Sequence, residues 1–442
     1  MNKAISIKDN IKRFNKTITV TGDKSLSIRW ALLASQAKGK SKAYNLLDSE
    51  DVLFTLKCLK KLGVKVNLKK NYCEIIGNGI NSFKYKKNIT LNAGNSGTLG
   101  RLILALLIRS PHKIKLTGDK SLSKRDFSRV IKPLKKFGAK FYPKNKNTLP
   151  INIQGNESIK SIKFYEKKGS AQVKSCVMLA ALNAHGTTKI ITPQSRNHTE
   201  ILFKYLKIPI KIRNKKNLNL IEIKKKNQIN SFNYNIPSDI SSGAFFIVLT
   251  LLSKNSKLTI KNVNINPTRI GCIKILNKMG AEITFKNTKY YKGEKIADIS
   301  VKSAKNLKSI KCPVKYNSSA IDEFLIIFLV AAKSNGVSIF KNLSELNQKE
   351  SPRLKLGSKI LNMMGVKTEL TNHSIKIFGN PNIRLNKKYI IKNYLKDHRI
   401  FMMSAIAALA FGGNWKIHDP DSIKTSFPNF LKTIKNLGGK IK

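Results

Sequence analysis

The chain has 442 residues, 84 Lys plus Arg against 24 Asp plus Glu, and a formal net charge of +60. At roughly 100–200 residues per domain the length allows two to four domains, and 41% hydrophobic residues can build a core in each, which excludes a disordered chain. The longest apolar stretch, Phe401 to Phe411, is shorter than the ~18–20 residues of a membrane helix, and residues 1–16 lack a signal-peptide core, so a cytoplasmic protein is expected.

Along the chain two phrases recur six times. The first is a nearly all-apolar helix followed by a short loop and a β-rich strand, at 30–37, 101–108, 174–184, 243–252, 322–332 and 400–410. Helices apolar all round must be buried. The second is an amphipathic helix end, a breaker and an alternating strand, with Gly63, Gly138, Pro209, Gly280, Gly365 and Gly438 as the breakers. Gly closes a helix in the left-handed conformation, and Pro209 is read as ending the third copy by other means. Six α/β units of roughly 73 residues result, each read as strand, buried helix, strand, amphipathic helix and one or two strands. The predicted packing is three units per domain, two domains, and a ligand cleft between them. The alternative is an open solenoid, whose common repeats are shorter.

The helix starts carry the chemistry-bearing residues. The apolar helices are preceded by segments 21–29, 93–101, 167–175, 237–243, 317–323 and 395–399, rich in Ser, Thr, Gly, Asn, Lys and Arg. A helix N-terminus offers unpaired N–H groups and partial positive charge, so such residues suit an anion site, although Ser and Thr are also ordinary caps. Lys24, Arg29, Arg101 and Arg399 recur there, and the second helices add Arg125 and Arg353. With 72 Lys against 12 Arg, the scarce Arg side chains mark positions that need bidentate recognition of carboxylate or phosphate. Asp322 and Glu350, carboxylates beside cations, are the proton-transfer candidates, or else caps and ion-pair partners. Such a site fits small molecules with several phosphate and carboxylate groups.

The other classes fit less well. The lysines are spread over every segment with no basic tail, finger or helix-turn-helix pattern, so no specific nucleic-acid partner is expected. Five scattered cysteines never form a CxxC pair, and the six His show no HExxH spacing, so neither disulfides nor a metal is expected. Segment 39–41 (GKS) is no phosphate loop, because Ala34 stands where its first Gly belongs.

The ordered phrases GDKSLSIR (22–29), GNSGTLGR (94–101), GDKSLSKR (118–125), SAQVKS (170–175), SRNHTE (195–200), SDISSGAFF (238–246), NPTR (266–269), IDE (321–323), ELNQKESPR (345–353), DHR (397–399) and TSFPNF (425–430) together resemble the 3-phosphoshikimate 1-carboxyvinyltransferase (EPSP synthase) family. The resemblance covers nearly the whole chain. It implies the α/β enolpyruvyl transferase fold, an inside-out α/β barrel of two domains with three βαβαββ units each, here 1–20 plus 237–442 and 21–236. It implies a monomeric enzyme that moves the enolpyruvyl group of phosphoenolpyruvate to the 5-hydroxyl of shikimate 3-phosphate, releasing phosphate, with no cofactor, on the shikimate pathway to chorismate and aromatic amino acids. By the same resemblance Asp322 is the base toward the hydroxyl, Glu350 the carboxyl near the methylene, and Lys24 spans both substrates. Ser25, Arg29, Ser170, Ala171, Gln172, Ser195 and Lys349 fall on the shikimate 3-phosphate side with Asp322. Asn95, Gly97, Thr98, Arg125, Arg353 and Arg399 fall on the phosphoenolpyruvate side, which Gln172 shares. Gly97 implies sensitivity to glyphosate in competition with phosphoenolpyruvate.

The chain departs from the family pattern at Asp126, Asn197, Leu325, Asn347 and Pro352, and Thr425 stands where some members carry Lys, with Lys424 one residue off. Asp126 is expected to place an anion beside Arg125 and weaken substrate affinity. The sister transferase acting on UDP-N-acetylglucosamine is the nearest alternative. It is disfavoured by Lys24-Ser25, where that family has Lys-Asn, and by the lack of Cys between Cys73 and Cys176.

Overall fold

Each of the six apolar stretches forms a helix with hardly a polar face: Lys24–Ser35, Gly97–Leu106, Ala171–Ala181, Ile240–Leu252, Phe324–Lys333 and His398–Phe411. In the computed structural model, which describes residues 3–442, all thirteen residues of Ile240–Leu252 are buried. Burying a Phe, Leu or Ile side chain contributes about 1.5–3 kcal/mol, so these helices are the principal source of core stability. Each is paired in sequence with an amphipathic helix. Ser128–Lys136, for example, buries Val130, Ile131, Pro133 and Leu134 while Lys132, Lys135 and Lys136 face solvent.

Among the described residues the strands form six separate sheets. In one, Thr90–Asn92 runs parallel to Ile114–Thr117, which pairs antiparallel with Ile151–Gln154, and that strand in turn with Lys140–Tyr142. The spatial order is therefore first, second, fourth, third, the βαβαββ unit. Lys163–Tyr165, Thr187–Pro193, Leu218–Lys224 and Ile210–Lys215 repeat it. Parallel neighbours need a crossover helix, and the buried helix supplies it.

Two units borrow their first strand from a distant part of the chain. Ala37–Tyr44 pairs in parallel with Ile229–Asn230 and Asn233–Asn235, and Lys257–Asn264 pairs in parallel with Asn15–Ile18. At the other end, Ala4–Ile7 pairs with Gly412–His418, and Ser6 exchanges backbone hydrogen bonds of 2.7 and 3.0 Å with Lys442. The chain divides into two compact units. The first takes in the chain through Thr21, then Pro237–Tyr291 and Lys295–Lys442; the second is Gly22–Ile236 with Lys292–Glu294. Within the second, the Glu294 carboxylate lies 2.6 Å from His198 Nδ1, and Lys292 sits over the rings of Tyr205 and Tyr234.

The breaker glycines Gly63, Gly138, Gly280, Gly365 and Gly438 all have positive φ, from 79° to 104°. The third copy needs a correction: Pro209 is not the equivalent breaker. Helix His198–Tyr205 ends at Leu206, and Lys207 takes the left-handed position at φ 53°. The Ile208 N–H then bonds the Phe203 carbonyl just as the Val64 N–H bonds that of Leu59. The repeat register in this copy is thus two residues earlier than the Pro suggests. All five cysteines are unbridged. Burial pushes the Cys58 thiol up to about 11 and that of Cys73 up to about 12, so both stay protonated and unreactive at neutral pH.

Candidate functional site

Caps and first-turn residues separate cleanly at the helix starts. Five of the six buried helices begin with a side chain that accepts an N–H of its own first turn: Asp23 from Leu26, Ser96 from Leu99, Ser170 from Val173, Asp239 from Ser241 and Asp397 from Arg399. The amphipathic helices lack such a bond from their N-cap residues. The capping duty therefore falls on these five residues, with Lys24, Ser25, Gly97, Thr98, Ala171, Gln172 and Arg399 in the first turns beyond them, beside the positive ends of the helix dipoles.

In the second unit Arg29, Arg101 and Arg125 make a set of hydrogen bonds to neutral groups. Arg29 is buried; its Nε donates to Thr199 Oγ1 at 2.9 Å, its Nη2 to Ser175 Oγ at 3.1 Å, and its Nη1 to the Ser25 carbonyl at 3.1 Å. Arg125 Nη2 donates to Asn95 Oδ1 at 3.1 Å and Ser121 Oγ at 3.4 Å. Gln172 accepts from Arg101 Nη1 at 2.7 Å and donates to Thr98 Oγ1 at 3.1 Å. Arg101 and Arg125 converge on Gly97: a Cβ there would lie 2.9 Å from Arg101 Nη1 and 3.1 Å from Arg125 Nη1. Other cations of this unit meet carboxylates: Lys24 Nζ lies 3.0 Å from Asp51 Oδ2, the buried Lys174 Nζ 2.6 Å from Glu200 Oε1, and Arg129 Nη2 3.3 Å from Glu166 Oε1. Ser195 is 6% exposed and its hydroxyl finds no protein partner, while its carbonyl lies 3.5 Å from the buried Lys174 Nζ. Ser170 donates its backbone N–H to Glu166 Oε2 at 2.8 Å.

In the first unit the cations sit among carboxylates. Arg353, 2% exposed, donates from Nε to Asp397 Oδ2 at 2.8 Å and from Nη2 to Asp397 Oδ1 at 3.1 Å, a bidentate fork. The same Nη2 donates to Glu350, and Arg353 Nη1 lies 3.7 Å from Asp322 Oδ1. Lys349 Nζ is 3.4 Å from that same oxygen. Arg399 Nη1 donates to the Asp322 carbonyl at 2.5 Å and lies 3.9 Å from the buried Glu323. Burial alone would ease the proton off Arg353, but Asp397, Glu350 and Asp322 outweigh it and raise its pKa above the ordinary value. Burial likewise favours the neutral form of Asp397, and Arg353 overrides it, holding that carboxyl below its usual range. The two proton-transfer candidates therefore share one permanently charged guanidinium. Among the described residues no group of three or more His, Cys, Asp or Glu is placed to hold a metal ion.

The departures at Asp126, Asn347, Pro352, Leu325 and Thr425 take part in local structure, and Asn197 is the N-cap residue of helix His198–Tyr205. The Asp126 carboxylate does not address Arg125: it accepts the Ser128 N–H and the Ser128 hydroxyl, both at 2.7 Å, and so caps the helix Ser128–Lys136. Asn347 Oδ1 accepts from the N–H groups of Leu354 and Lys355 at 3.2 and 3.4 Å, capping a helix whose N-cap residue is Pro352. Leu325 is buried and packs against Gly357. Lys424 pairs with Asp421 at the surface, and the Thr425 hydroxyl lies 3.2 Å from His398 Nδ1.

Sequence reasoning did not single out Asp51, Glu166, Ser175, Thr199, Glu323 or Asp397. Asp51 follows a helix start as Glu200 does, a signal present in the SEDV segment at 49–52; Ser175, Thr199, Asp397 and Glu166 also make contacts with residues distant in sequence.

Comparison with known proteins matches residues 8–434 to the family described as EPSP synthase (3-phosphoshikimate 1-carboxyvinyltransferase). The 3-phosphoshikimate 1-carboxyvinyltransferase of Ruthia magnifica subsp. Calyptogena magnifica is 41% identical over 426 residues, covering 96% of this chain and 95% of that one. The EPSP synthase structure from Acinetobacter baumannii superposes with a TM-score of 0.87 at 33% identity, covering 100% and 99% of the two chains. The enolpyruvyl transferase NikO of Streptomyces tendae shares the fold, with a TM-score of 0.77 at 13% identity over 100% and 98% of the two chains.

Proposed function

The chain belongs to the EPSP synthase family, and from that premise we propose how its own residues transfer the enolpyruvyl group of phosphoenolpyruvate to the 5-hydroxyl of shikimate 3-phosphate. The reaction adds the hydroxyl oxygen to C2 of phosphoenolpyruvate while the methylene carbon takes a proton. The resulting tetrahedral intermediate then loses a proton from that carbon as the C2–O bond to phosphate breaks, restoring the double bond and releasing phosphate. Three proton transfers, off the hydroxyl, onto the methylene carbon and off it again, and the stabilisation of several negative charges are what the protein must supply.

Arg29, Ser170, Gln172 and Ser195 bind shikimate 3-phosphate, with Lys24, Ser25, Ala171, Lys349 and Asp322. Arg125, Asn95, Gly97 and Thr98 bind phosphoenolpyruvate together with Arg353, Arg399, Lys24 and Gln172. Asp322 takes the proton of the 5-hydroxyl, and Glu350 serves the methylene carbon. The observation that carries this reading is the Asp322–Lys349–Arg353–Glu350 cluster, in which two partly exposed carboxylates meet cations at 2.5–3.7 Å. The two compact units act as the two domains. The protein works on small molecules as a cytoplasmic monomer without a specific nucleic-acid partner; the dispersed lysines, with no basic tail, support the last point. Among the described residues no helix is long and apolar enough to cross a membrane.

Mass spectrometry of reactions containing both substrates tests the transfer. The expected product is the enolpyruvyl ether of shikimate 3-phosphate, one equivalent per phosphate released, with UDP-N-acetylglucosamine inert as acceptor. Transfer to UDP-N-acetylglucosamine instead would overturn the reading.

A further inference from the structure

Glu166 is buried, 4% exposed, at the point where strand Lys163–Tyr165 turns into the loop before helix Ala171–Ala181. Its carboxylate collects four donors from three segments. Oε1 accepts from the Lys168 N–H at 3.2 Å and lies 3.3 Å from Arg129 Nη2; Oε2 accepts from the Ser170 N–H at 2.8 Å and the Thr192 hydroxyl at 3.2 Å. A buried carboxylate is costly unless its lone pairs are filled, and here they are filled by the backbone that carries Ser170. Ser170 is the N-cap of the next helix, so its N–H is held by Glu166 while its hydroxyl oxygen accepts from Val173.

We propose that Glu166 is a positioning residue for the shikimate 3-phosphate subsite: it fixes the 166–170 loop so that Ser170 and the first turn of the following helix meet shikimate 3-phosphate. This rests on the functional reading above. The Gln172 amide is held separately by Thr98 and Arg101, so the effect is selective for shikimate 3-phosphate over phosphoenolpyruvate. Arg129 ties the same carboxylate to helix Ser128–Lys136, and Thr192 ties it to the neighbouring strand. The loop is thereby braced on two sides.

Glu166→Gln keeps the shape but turns one acceptor into an N–H2 facing N–H donors. Calorimetric binding of shikimate 3-phosphate to the full-length wild type and variant, with steady-state phosphate release, reads the consequence. The expected result is a roughly tenfold weaker Kd and higher KM for shikimate 3-phosphate, with kcat and the KM for phosphoenolpyruvate within about threefold. A folded variant with unchanged Kd, or with both KM values and kcat worsened alike, overturns the proposal. If Glu166→Gln does not fold, Thr192→Val, which removes one donor, decides by the same selective rise, about threefold, or its absence. Wild-type protein that binds shikimate 3-phosphate without turnover overturns the functional reading alone, and the Kd comparison still judges Glu166. Wild-type protein that does not bind it overturns both.

Discussion

Arg29 and Arg125 in the second unit and Arg353 and Arg269 in the first meet different kinds of hydrogen-bond partner, although Arg129 in the second unit also pairs with a carboxylate, Glu166. In the second unit Arg29 is fastened by Thr199, Ser175 and a carbonyl, and Arg125 by Asn95 and Ser121. In the first, Arg353 is fastened by Asp397, Glu350 and Asp322, and Arg269 lies 3.1 Å from Asp239. Hydroxyls and amides orient a guanidinium without adding an opposite charge. Carboxylates cancel the charge but share its field, which keeps acids and bases close to a permanent cation. Under the proposed function we read anion capture as mainly the work of the second unit and proton transfer as that of the first.

The sharpest way to break this comparison is to remove one arginine from each unit. Arg353→Met strands Asp397, which is 0% exposed, and should cost about 3–5 kcal/mol in urea unfolding. Arg29→Met leaves Thr199 and Ser175 still bonded to each other at 2.7 Å, and its cost should stay near 1 kcal/mol. Equal losses would erase the distinction. Next in size, Gly97→Ala pushes a methyl group against the guanidinium groups of Arg101 and Arg125; the KM for phosphoenolpyruvate should rise about tenfold with that for shikimate 3-phosphate little changed.

A smaller effect comes from pH. The folded-state pKa of Asp397 is depressed, burial opposing and Arg353 prevailing. Its contribution to stability is therefore present above the ordinary carboxylate value and lost as pH falls through the lowered one. Acid unfolding followed by circular dichroism should show wild type losing stability over that acidic range, and Arg353→Met losing less across it. Smallest is the salt response. At a net charge of +60 the folded chain repels itself, so added salt should raise Tm by a few degrees while lowering kcat/KM for the anionic substrates.

The six buried helices were legible because a helix without a polar face announces its burial in a single window of sequence. Arg29, Arg125, Arg353 and Arg399 drew notice because an arginine stands out among 72 lysines. The borrowed strands were not: Asn15–Ile18 pairs with Lys257–Asn264, some 240 residues away, and pairing at that distance leaves no local mark. Lys207 escaped notice because a lysine in the left-handed conformation has no signature, and Pro209 nearby offered a more obvious stop. Asp126 misled for a related reason. Proximity in sequence to Arg125 suggested repulsion, whereas the side chain turns to the helix start at Ser128. Asp397 appeared only as part of a motif, and its fork with Arg353 is a tertiary contact across 44 residues.

The most direct test of the division of labour is phosphate release by wild type, Arg29→Met and Asp322→Asn, with each substrate varied in turn. Arg29→Met should raise the KM for shikimate 3-phosphate about a hundredfold while kcat stays within about threefold, since it removes a charge-assisted anchor. Asp322→Asn should lower kcat by about 10²–10⁴ with both KM values little changed, since it removes a base. The reverse pattern, kcat lost in Arg29→Met and only KM raised in Asp322→Asn, would contradict the account.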